Sequence, residues 1–306
     1  MSRRPEAVHV FPTLADLIGL RGPAHGLELG ARRMALSVQS GGYRSVYRGR
    51  GLEFDEVRVY QPGDEVRDID WRVTARRGRP HTKLYSEERE RPVLLCIDLG
   101  SSMLFGSRCL KSAQAMRAGA LLAWAAEQAG DRVGGVVVAH DGHKSRPAMP
   151  RRDAVLSLLK TLVELQPRAP IPPIPSLLDE GLARLVHVAH PGSFIPVLSD
   201  FHTLSNEGER SLRRLAQHND VMLIQVFDPM EAETQPPGRY RLGVPGRLLN
   251  LDSAAAAERW RRTFTDRRNR LERLAARLGT PLISLVTDAN PVKTLAWGLM
   301  RHGRAA

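Results

Sequence analysis

Cysteines and long apolar runs are scarce in this chain. Its only two cysteines are Cys96, within an apolar run, and Cys109 shortly after it, and they match neither a zinc-ligand spacing nor a disulfide framework. No stretch approaches the roughly 18 consecutive apolar residues that a membrane span needs, and residues 1–20 lack the unbroken apolar segment of a signal peptide. These absences predict a cytoplasmic protein without a transmembrane segment, whose two thiols are buried or unreactive.

Aromatic residues are also few, at 5% of the chain. The net charge of +12 comes almost entirely from arginine, and such a charge suits nucleic acid, an anionic membrane or an acidic protein surface as a partner. However, no basic stripe interleaved with aromatic residues and no recognition-helix signature is present, and a GC-rich genome also enriches arginine. The sequence therefore does not favour nucleic-acid binding.

The composition is that of a globular protein, with 42% hydrophobic and 25% charged residues. From residue 92 onward, short β-rich apolar runs alternate with stretches of helical period, as in a parallel α/β sheet. Residues 1–91 show glycine-punctuated alternation instead. We therefore expect two parts, an arginine-rich β-containing extension over 1–91 and an α/β domain over 92–306.

Individual elements follow from the same patterns, and no internal repeat is present. Aspartate and glycine at 141–142 predict a turn into an antiparallel edge strand, and the proline-rich residues 167–175 predict a loop. Residues 238–252 resemble a small hairpin. The predicted parallel strands are 93–98, 132–139, 194–200, 221–227 and 281–286, and the predicted helices are 110–129, 152–165, 177–189, 205–217 and 253–278.

Two of the predicted strands end in aspartate, at Asp98 and Asp200. In an open parallel sheet, ligands bind beyond the carboxyl ends of the strands, where the connections diverge. Ser102 follows Asp98 by four residues, so its hydroxyl can face the same point. Because Mg²⁺ is bound by oxygen ligands and keeps several waters, these groups form a candidate site for a divalent cation.

The arrangement resembles the metal-ion-dependent adhesion site of von Willebrand factor A domains, which reads Asp-x-Ser-x-Ser, then a distant threonine and a distant aspartate. Asp98 and Ser102 match its first and third positions, whereas Gly100 stands in place of the middle serine. Ser176 is the best match for the threonine, and Asp200 for the last aspartate. The resemblance implies a degenerate site for Mg²⁺ or Mn²⁺ formed by Asp98, Ser102, Ser176 and Asp200.

A purely structural role explains the same residues. Ser101 or Ser102 can cap the following helix, Asp98 can accept hydrogen bonds from backbone N–H groups, and Asp200 can order its own turn. The sequence alone leaves both interpretations open.

Residues 49–103 contain many residue types at fixed spacing: Gly51, Glu53, Phe54, Arg58, Tyr60, Gly63, Asp64, Arg67, Asp68, Ile69, Asp70, Trp71, Ala75, Arg76 and Glu88. With this pattern the chain resembles the bacterial domain-of-unknown-function 58 family, and the likeness covers most of the chain and is weakest over 229–280. This likeness implies a von Willebrand A-like, doubly wound, mostly parallel sheet with an N-terminal β-containing extension. Members are commonly encoded beside MoxR-type AAA+ ATPases and other von Willebrand A-like proteins, which implies such proteins as partners. No catalytic residue is established for the family.

Residues 63–76 form the densest part of this pattern. Asp64 is expected to cap a short helix, and Asp68 and Arg72 have the spacing of a helical ion pair. Trp71 is expected to be a core residue. The segment is either a buried interlock between the two parts of the chain or a recognition surface.

Two functions of different class follow. The first is a non-enzymatic protein-interaction module that docks a MoxR-type AAA+ ATPase through the carboxyl edge of its sheet, in protein maturation or remodelling. The second is a metal-assisted hydrolase that acts on phosphate esters with Asp98 as ligand or nucleophile. The second is disfavoured because the motif after Asp98 lacks a second aspartate two residues on, and no phosphate-binding glycine loop is present.

Overall fold

A computed structural model describes most of the chain. The described residues are 11–29, 52–61, 64, 66–87, 90–168, 174, 176–232, 240–244, 247–251 and 254–303. The expected loop at 167–175 and the turn at Pro62 and Gly63 lie largely outside them.

The described strands and helices alternate along most of the chain. The strands are β1 Leu52–Val59, β2 His81–Glu87, β3 Pro92–Asp98, β4 Arg132–Ala139, β5 Gly142–Met149, β6 Phe194–Ser199, β7 Asp220–Phe227, β8 Tyr240–Val244, β9 Arg247–Leu251 and β10 Leu282–Val286. The helices are α1 Leu14–Gly19, α2 Trp71–Arg77, α3 Lys111–Gln128, α4 Arg152–Leu165, α5 Leu177–Val188, α6 Asn206–His218, α7 Pro229–Ala232, α8 Ala254–Leu278 and α9 Pro291–Gly303. Short 3-10 turns lie at Pro23–Gly26, Val66–Asp68 and Ser101–Leu104.

Six of these strands form one mixed sheet in the order β10-β7-β6-β3-β4-β5. All neighbouring pairs are parallel except β4 and β5, which are antiparallel. The predicted mostly parallel α/β architecture and its antiparallel edge strand are therefore confirmed. The predicted hairpin is also present, as the antiparallel pair β8 and β9.

The strands are apolar along their length because helices cover both faces of the sheet. Along β3, Val93, Leu95 and Ile97 belong to one hydrophobic cluster, whereas Leu94 and Cys96 belong to the other. The first cluster includes residues of α1, α3, α4 and α9, and the second includes residues of α5, α6 and α8. Burial of the aliphatic side chains in these two clusters supplies the main favourable contribution to folding.

The chain divides into two compact units, one of residues 1–39 and 91–306 and the other of Ser40–Glu90. This division differs from the expected extension over 1–91, because α1 packs into the core of the sheet unit. Leu17 of α1 is fully buried there, and its carbonyl accepts a 3.0 Å hydrogen bond from Nε1 of the buried Trp124. A helix of six residues is too short to give a clear periodic signal, so the sequence does not predict this packing.

The smaller unit pairs β1 with β2 in antiparallel register. Asp70 caps α2 by accepting from the N–H groups of Arg72 and Val73 at 3.0 and 3.1 Å. Asp64 accepts from the N–H of Gln61 at 2.9 Å and pairs with Arg58 at 2.7 Å.

Two expectations for this unit fail. Asp68 lies in the 3-10 turn and Arg72 in α2, so the two do not share the helix that the ion-pair spacing assumed. The prediction that Trp71 is a core residue is wrong, because its exposed fraction is 66%.

Among the described residues, no helix combines the length and apolarity that crossing a membrane requires.

Candidate functional site at the carboxyl edge of the sheet

The strand order reverses between β3 and β6. From β3 the chain continues to β4 and β5 on one side, and from β6 it continues to β7 and β10 on the other. Ligands of open α/β sheets bind at the carboxyl edge of such a switch point. Asp98 ends β3, and Asp200 follows β6, so the two aspartates lie at this point of the sheet.

Asp98 is buried, and each of its two carboxylate oxygens accepts a hydrogen bond. Its side-chain oxygens accept from the N–H of Gly100 at 2.8 Å and from the Ser199 hydroxyl at 2.6 Å. Burial, together with the neighbouring charge of Asp200, raises the pKa of Asp98 to about 6, although both hydrogen bonds favour the ionised form. Ionisation of Asp98 at this edge of the sheet therefore lowers the stability of the folded chain.

Asp200 is held by three other groups. One carboxylate oxygen accepts from the Ser102 hydroxyl at 3.2 Å and from the N–H of His202 at 2.9 Å. The other oxygen accepts from Lys111 Nζ at 2.8 Å. Burial opposes ionisation of Asp200, but the Lys111 ammonium outweighs it and holds the pKa of Asp200 below its usual range.

A tight turn follows β6, and we call residues Asp200–Thr203 the aspartate turn. Phe201 within it has φ 53°, in the left-handed region that a bulky residue rarely adopts. Its N–H donates to Ser199 Oγ at 2.9 Å, and its side chain is buried. Backbone strain of this kind persists only where surrounding structure imposes it, and it clusters at functional sites.

Residues of the aspartate turn line two clefts. Thr203 and Asp98 line the first, which we call the switch-point cleft, and its volume of about 10 Å³ corresponds to about one water molecule. His202 and Arg267 line the second, the arginine cleft, which has a volume of about 250 Å³. Further lining residues of the switch-point cleft are Gly100, Ser101, Ser102, His140, Ile174, Leu177 and Leu178.

The arginine cleft has an apolar floor and a charged mouth. Phe201, Leu204, Leu271 and Leu274 supply the floor, and Glu209, Asp266, Arg267 and Arg270 supply the charges. Burial and the neighbouring Arg267 charge lower the pKa of His202, so this imidazole is neutral near physiological pH. Arg270 is paired with Glu209 at 2.8 Å.

Three of the four residues expected to bind a metal come together, and Ser176 does not. Asp98, Ser102 and Asp200 meet at the switch point, where Ser102 bonds Asp200 directly. Ser176 instead donates to Glu180 at 2.8 Å at an exposed position, while its neighbours Leu177 and Leu178 line the cleft. Thr203, which sequence analysis did not select, also lines the switch-point cleft.

The capping alternative is only partly correct. Leu110 occupies the cap position of α3, and Gly100 that of the preceding 3-10 turn, each without a side-chain hydrogen bond, so neither Ser101 nor Ser102 caps a helix. Asp98 does accept from a backbone N–H, as that alternative required.

A third strand-end aspartate was missed. Asp228 follows β7, is fully buried, and accepts from the N–H and hydroxyl of Ser107 at 2.7 and 3.0 Å and from the Thr287 hydroxyl at 2.5 Å. Its other oxygen accepts from the N–H of Met230 at 3.0 Å. The run before Asp228 is as apolar as those before Asp98 and Asp200, so the same pattern could have identified it.

The residues as placed do not fit a resident divalent cation. Such an ion needs about six oxygen ligands near 2.1 Å. Here each oxygen of Asp98 already accepts a hydrogen bond from a neutral donor, one oxygen of Asp200 is taken by Lys111, and Ser176 bonds elsewhere. Within the described ranges, no group of three or more His, Cys, Asp or Glu side chains could hold a metal.

Comparison with known proteins establishes the family of this chain. The model of the family "Protein of unknown function DUF58" matches residues 56–273. The chain belongs to this family. It is 29% identical over 296 residues to the uncharacterized proteins Rv1480 of Mycobacterium tuberculosis and Mb1516 of Mycobacterium bovis, covering 94% of this chain and 92% of each relative.

Solved structures resemble the chain more distantly. A conserved hypothetical protein BatB from Bacteroides thetaiotaomicron matches with a TM-score of 0.47 and 16% identity, over 71% of this chain and 100% of that one. An aerotolerance-related membrane protein from Bacteroides fragilis matches with a TM-score of 0.43 and 12% identity, over the same 71% and 100%.

Proposed function

We propose that this chain is a non-enzymatic protein-interaction module with a von Willebrand A-like, doubly wound sheet. In this proposal it is a cytoplasmic accessory partner of a MoxR-type AAA+ ATPase, and of other von Willebrand A-like proteins, in protein maturation or remodelling. The partner class follows from the family resemblance. The docking surface follows from the geometry of the switch point.

The observation that carries the proposal is the strained aspartate turn, whose residues line two clefts. Phe201 in the left-handed region and the hydrogen bonds of Asp200 hold His202 and Thr203 so that each lines a different cleft. A turn that is held rigidly and contributes residues to two concave surfaces suits recognition of a partner protein.

The charges favour an acidic partner. The chain as a whole carries +12, whereas the lining of the arginine cleft balances Arg267 and Arg270 against Glu209 and Asp266, so the positive surface that favours an acidic partner is that of the whole chain. Complementary charge of this kind raises the rate of association and suppresses wrong partners.

The rival hydrolase has no supporting observation among the described residues. A catalytic carboxylate must reach a substrate or a metal-bound water, yet Asp98 is only 3% exposed and both of its oxygens accept protein hydrogen bonds. We expect no turnover of generic phosphate esters with Mg²⁺ or Mn²⁺. Turnover that disappears in Asp98→Asn would favour the hydrolase instead.

Thr203→Arg tests the docking surface directly. The bulk of an arginine at Thr203 should block the switch-point cleft even though its charge is favourable toward an acidic partner, so we expect at least about tenfold weaker binding to the MoxR-type AAA+ ATPase of the same genome. The control is Met149→Arg, because Met149 is half exposed and pairs with Val133 at the opposite edge of the sheet. Equal binding by Thr203→Arg and the wild type, with both variants folded, would refute the proposed surface.

A further inference from the structure

A lysine is buried beside the two aspartates of the switch point. Lys111 is the first residue of α3, and only 2% of its side chain is exposed. Lysine is almost never fully buried unless its charge is paired. We therefore expect its ammonium to be paired with acidic groups within the site.

The ammonium of Lys111 links two acidic residues from different parts of the chain. Its Nζ lies 2.8 Å from an oxygen of Asp200, which follows β6, and 3.0 Å from an oxygen of Glu231 in α7. The Phe105 ring centroid is 5.7 Å from the same nitrogen. One cation thus joins three segments: the start of α3, the aspartate turn and α7.

The remaining oxygens of both partners are also satisfied. The second oxygen of Asp200 accepts from Ser102 and from the N–H of His202, and the second oxygen of Glu231 accepts from the N–H of Asp228 at 3.0 Å. Because charge-assisted hydrogen bonds are directional, the cluster fixes the orientation of each carboxylate. A divalent cation at Asp200 would have to displace the ammonium or lie beside it against like-charge repulsion.

We propose that Lys111 is the fixed cation of the switch point: its ammonium supplies the positive charge that a bound metal ion would otherwise supply, so the aspartate turn is preorganised without metal. This inference rests on the proposed function in that it explains how the docking turn is held. It concerns the isolated chain, however, and can be tested without any partner.

Removing the ammonium should leave an uncompensated pair of buried acidic groups. In Lys111→Met, which keeps most of the side-chain volume, we expect the thermal midpoint to fall by about 10 °C. In Lys111→Met with Asp200→Asn, one negative charge is removed as well, and we expect at least half of the lost midpoint to return. Arg21→Met is the control, because it removes an exposed cation that pairs with Glu127.

Metal titration supplies the decisive readout. Thermal unfolding and isothermal titration are measured on the full chain with MgCl₂ or MnCl₂ alone, and with EDTA. The wild type should show neither a change in midpoint nor saturable binding. In Lys111→Met, millimolar Mn²⁺ should raise the midpoint, and it should not do so once Asp200→Asn is added.

Several results would overturn the inference. Stoichiometric binding of Mn²⁺ by the wild type that Asp200→Asn abolishes would show that a metal, not Lys111, supplies the charge. An unchanged midpoint in Lys111→Met would show that the ammonium is not needed. If Lys111→Met does not fold, the doubly substituted chain decides: recovery of the fold supports the inference, and continued failure to fold contradicts it.

The two proposals fail separately. Loss of ATPase binding in Thr203→Arg, with metal-independent stability of the wild type, supports both. Metal binding by the wild type would overturn the role of Lys111 and leave the docking surface standing.

Discussion

The hydroxyl of Ser199 donates a 2.6 Å hydrogen bond to Asp98, and the same oxygen accepts a 2.9 Å bond from the N–H of Phe201. One serine therefore connects the end of β3 to the strained residue of the aspartate turn. Register between β3 and β6 brings the two strand ends together, since Ile97 pairs with Leu198. The serine holds in place both the buried carboxyl and the turn beside it.

Ser199→Ala should therefore be more damaging than the loss of an ordinary buried hydroxyl. The change leaves Asp98 without one donor and the N–H of Phe201 without its acceptor, so we expect a loss of about 2–3 kcal/mol in the free energy of unfolding, measured in urea. The control is Ser193→Ala: Ser193 is equally buried, but its hydroxyl makes one bond, to the carbonyl of His190 at 2.6 Å. A smaller loss in Ser199→Ala than in Ser193→Ala would contradict this role.

Asp98→Asn should stabilise the protein at neutral pH. The pKa of Asp98 is about 6 in the folded chain against an ordinary value of 3.8, so the unfolded chain ionises first as the pH rises. The contribution of Asp98 to the free energy of unfolding of the wild type is therefore highest below about pH 4. It falls between pH 4 and 6 and remains low at higher pH. A difference of about two pKa units corresponds to about 3 kcal/mol.

The asparagine variant lacks this ionisation and keeps the local hydrogen bonds. Its oxygen can accept from Gly100, and its amide can donate to Ser199 Oγ, which is able to accept. Urea unfolding of both proteins should show a stability difference of up to about 3 kcal/mol at pH 8 that shrinks toward pH 4. The prediction fails if the difference does not depend on pH.

The same substitution at Asp228 should have the opposite effect. One oxygen of Asp228 accepts from the Ser107 N–H, the Ser107 hydroxyl and the Thr287 hydroxyl, and the other accepts from the Met230 N–H. An amide would have to direct its NH₂ group at one of these backbone donors. We expect Asp228→Asn to lose about 3 kcal/mol, close to the loss in Asp228→Ala, in urea unfolding at pH 7. A gain in stability, as expected for Asp98→Asn, would show that the two strand ends are alike.

The sheet was predictable from the sequence because each central strand is buried on both faces. Continuous apolar runs of six to eight residues, each followed by a turn residue or a helical period, define β3, β4, β6 and β7 within about one residue. The switch point follows from the strand order, but the order itself is not encoded locally. The placement of Asp98 beside Asp200 could be predicted only by assuming neighbouring strands.

Lys111 could not be predicted because its partners are remote. Asp200 and Glu231 lie 89 and 120 residues away, and a lysine at a helix start ordinarily faces solvent. The helical period assigned the buried face of α3 to its apolar residues, whereas the helix is buried on nearly all sides. One signal was available: only five of the 45 basic residues are lysines, so a lysine here stands out from the arginine-rich background.

Both cysteines should be unreactive in the folded protein. Cys96 is fully buried in β3, and burial raises its pKa. Burial also raises the pKa of Cys109, whose thiol donates to the carbonyl of Thr287 at 3.0 Å. Because the thiolate is the reactive form, Ellman's reagent at pH 8 should label neither thiol natively and both in guanidinium chloride. Rapid native labelling of either cysteine would contradict the buried placement.

Arg267 should control the rate at which an acidic partner docks. The arginine lines the cleft beside His202, whose pKa it helps to lower, so its positive charge acts at the docking turn. Reversing that charge in Arg267→Glu should reduce the association rate with the ATPase about tenfold at low salt. At high salt the association rates of the variant and the wild type should become more similar, because screening weakens both attraction and repulsion. Arg152→Glu is the matched control, since Arg152 is exposed at the start of α4 after β5 has returned to the opposite edge of the sheet. If both variants slow association equally, the net charge of the chain, rather than the arginine cleft, steers the partner.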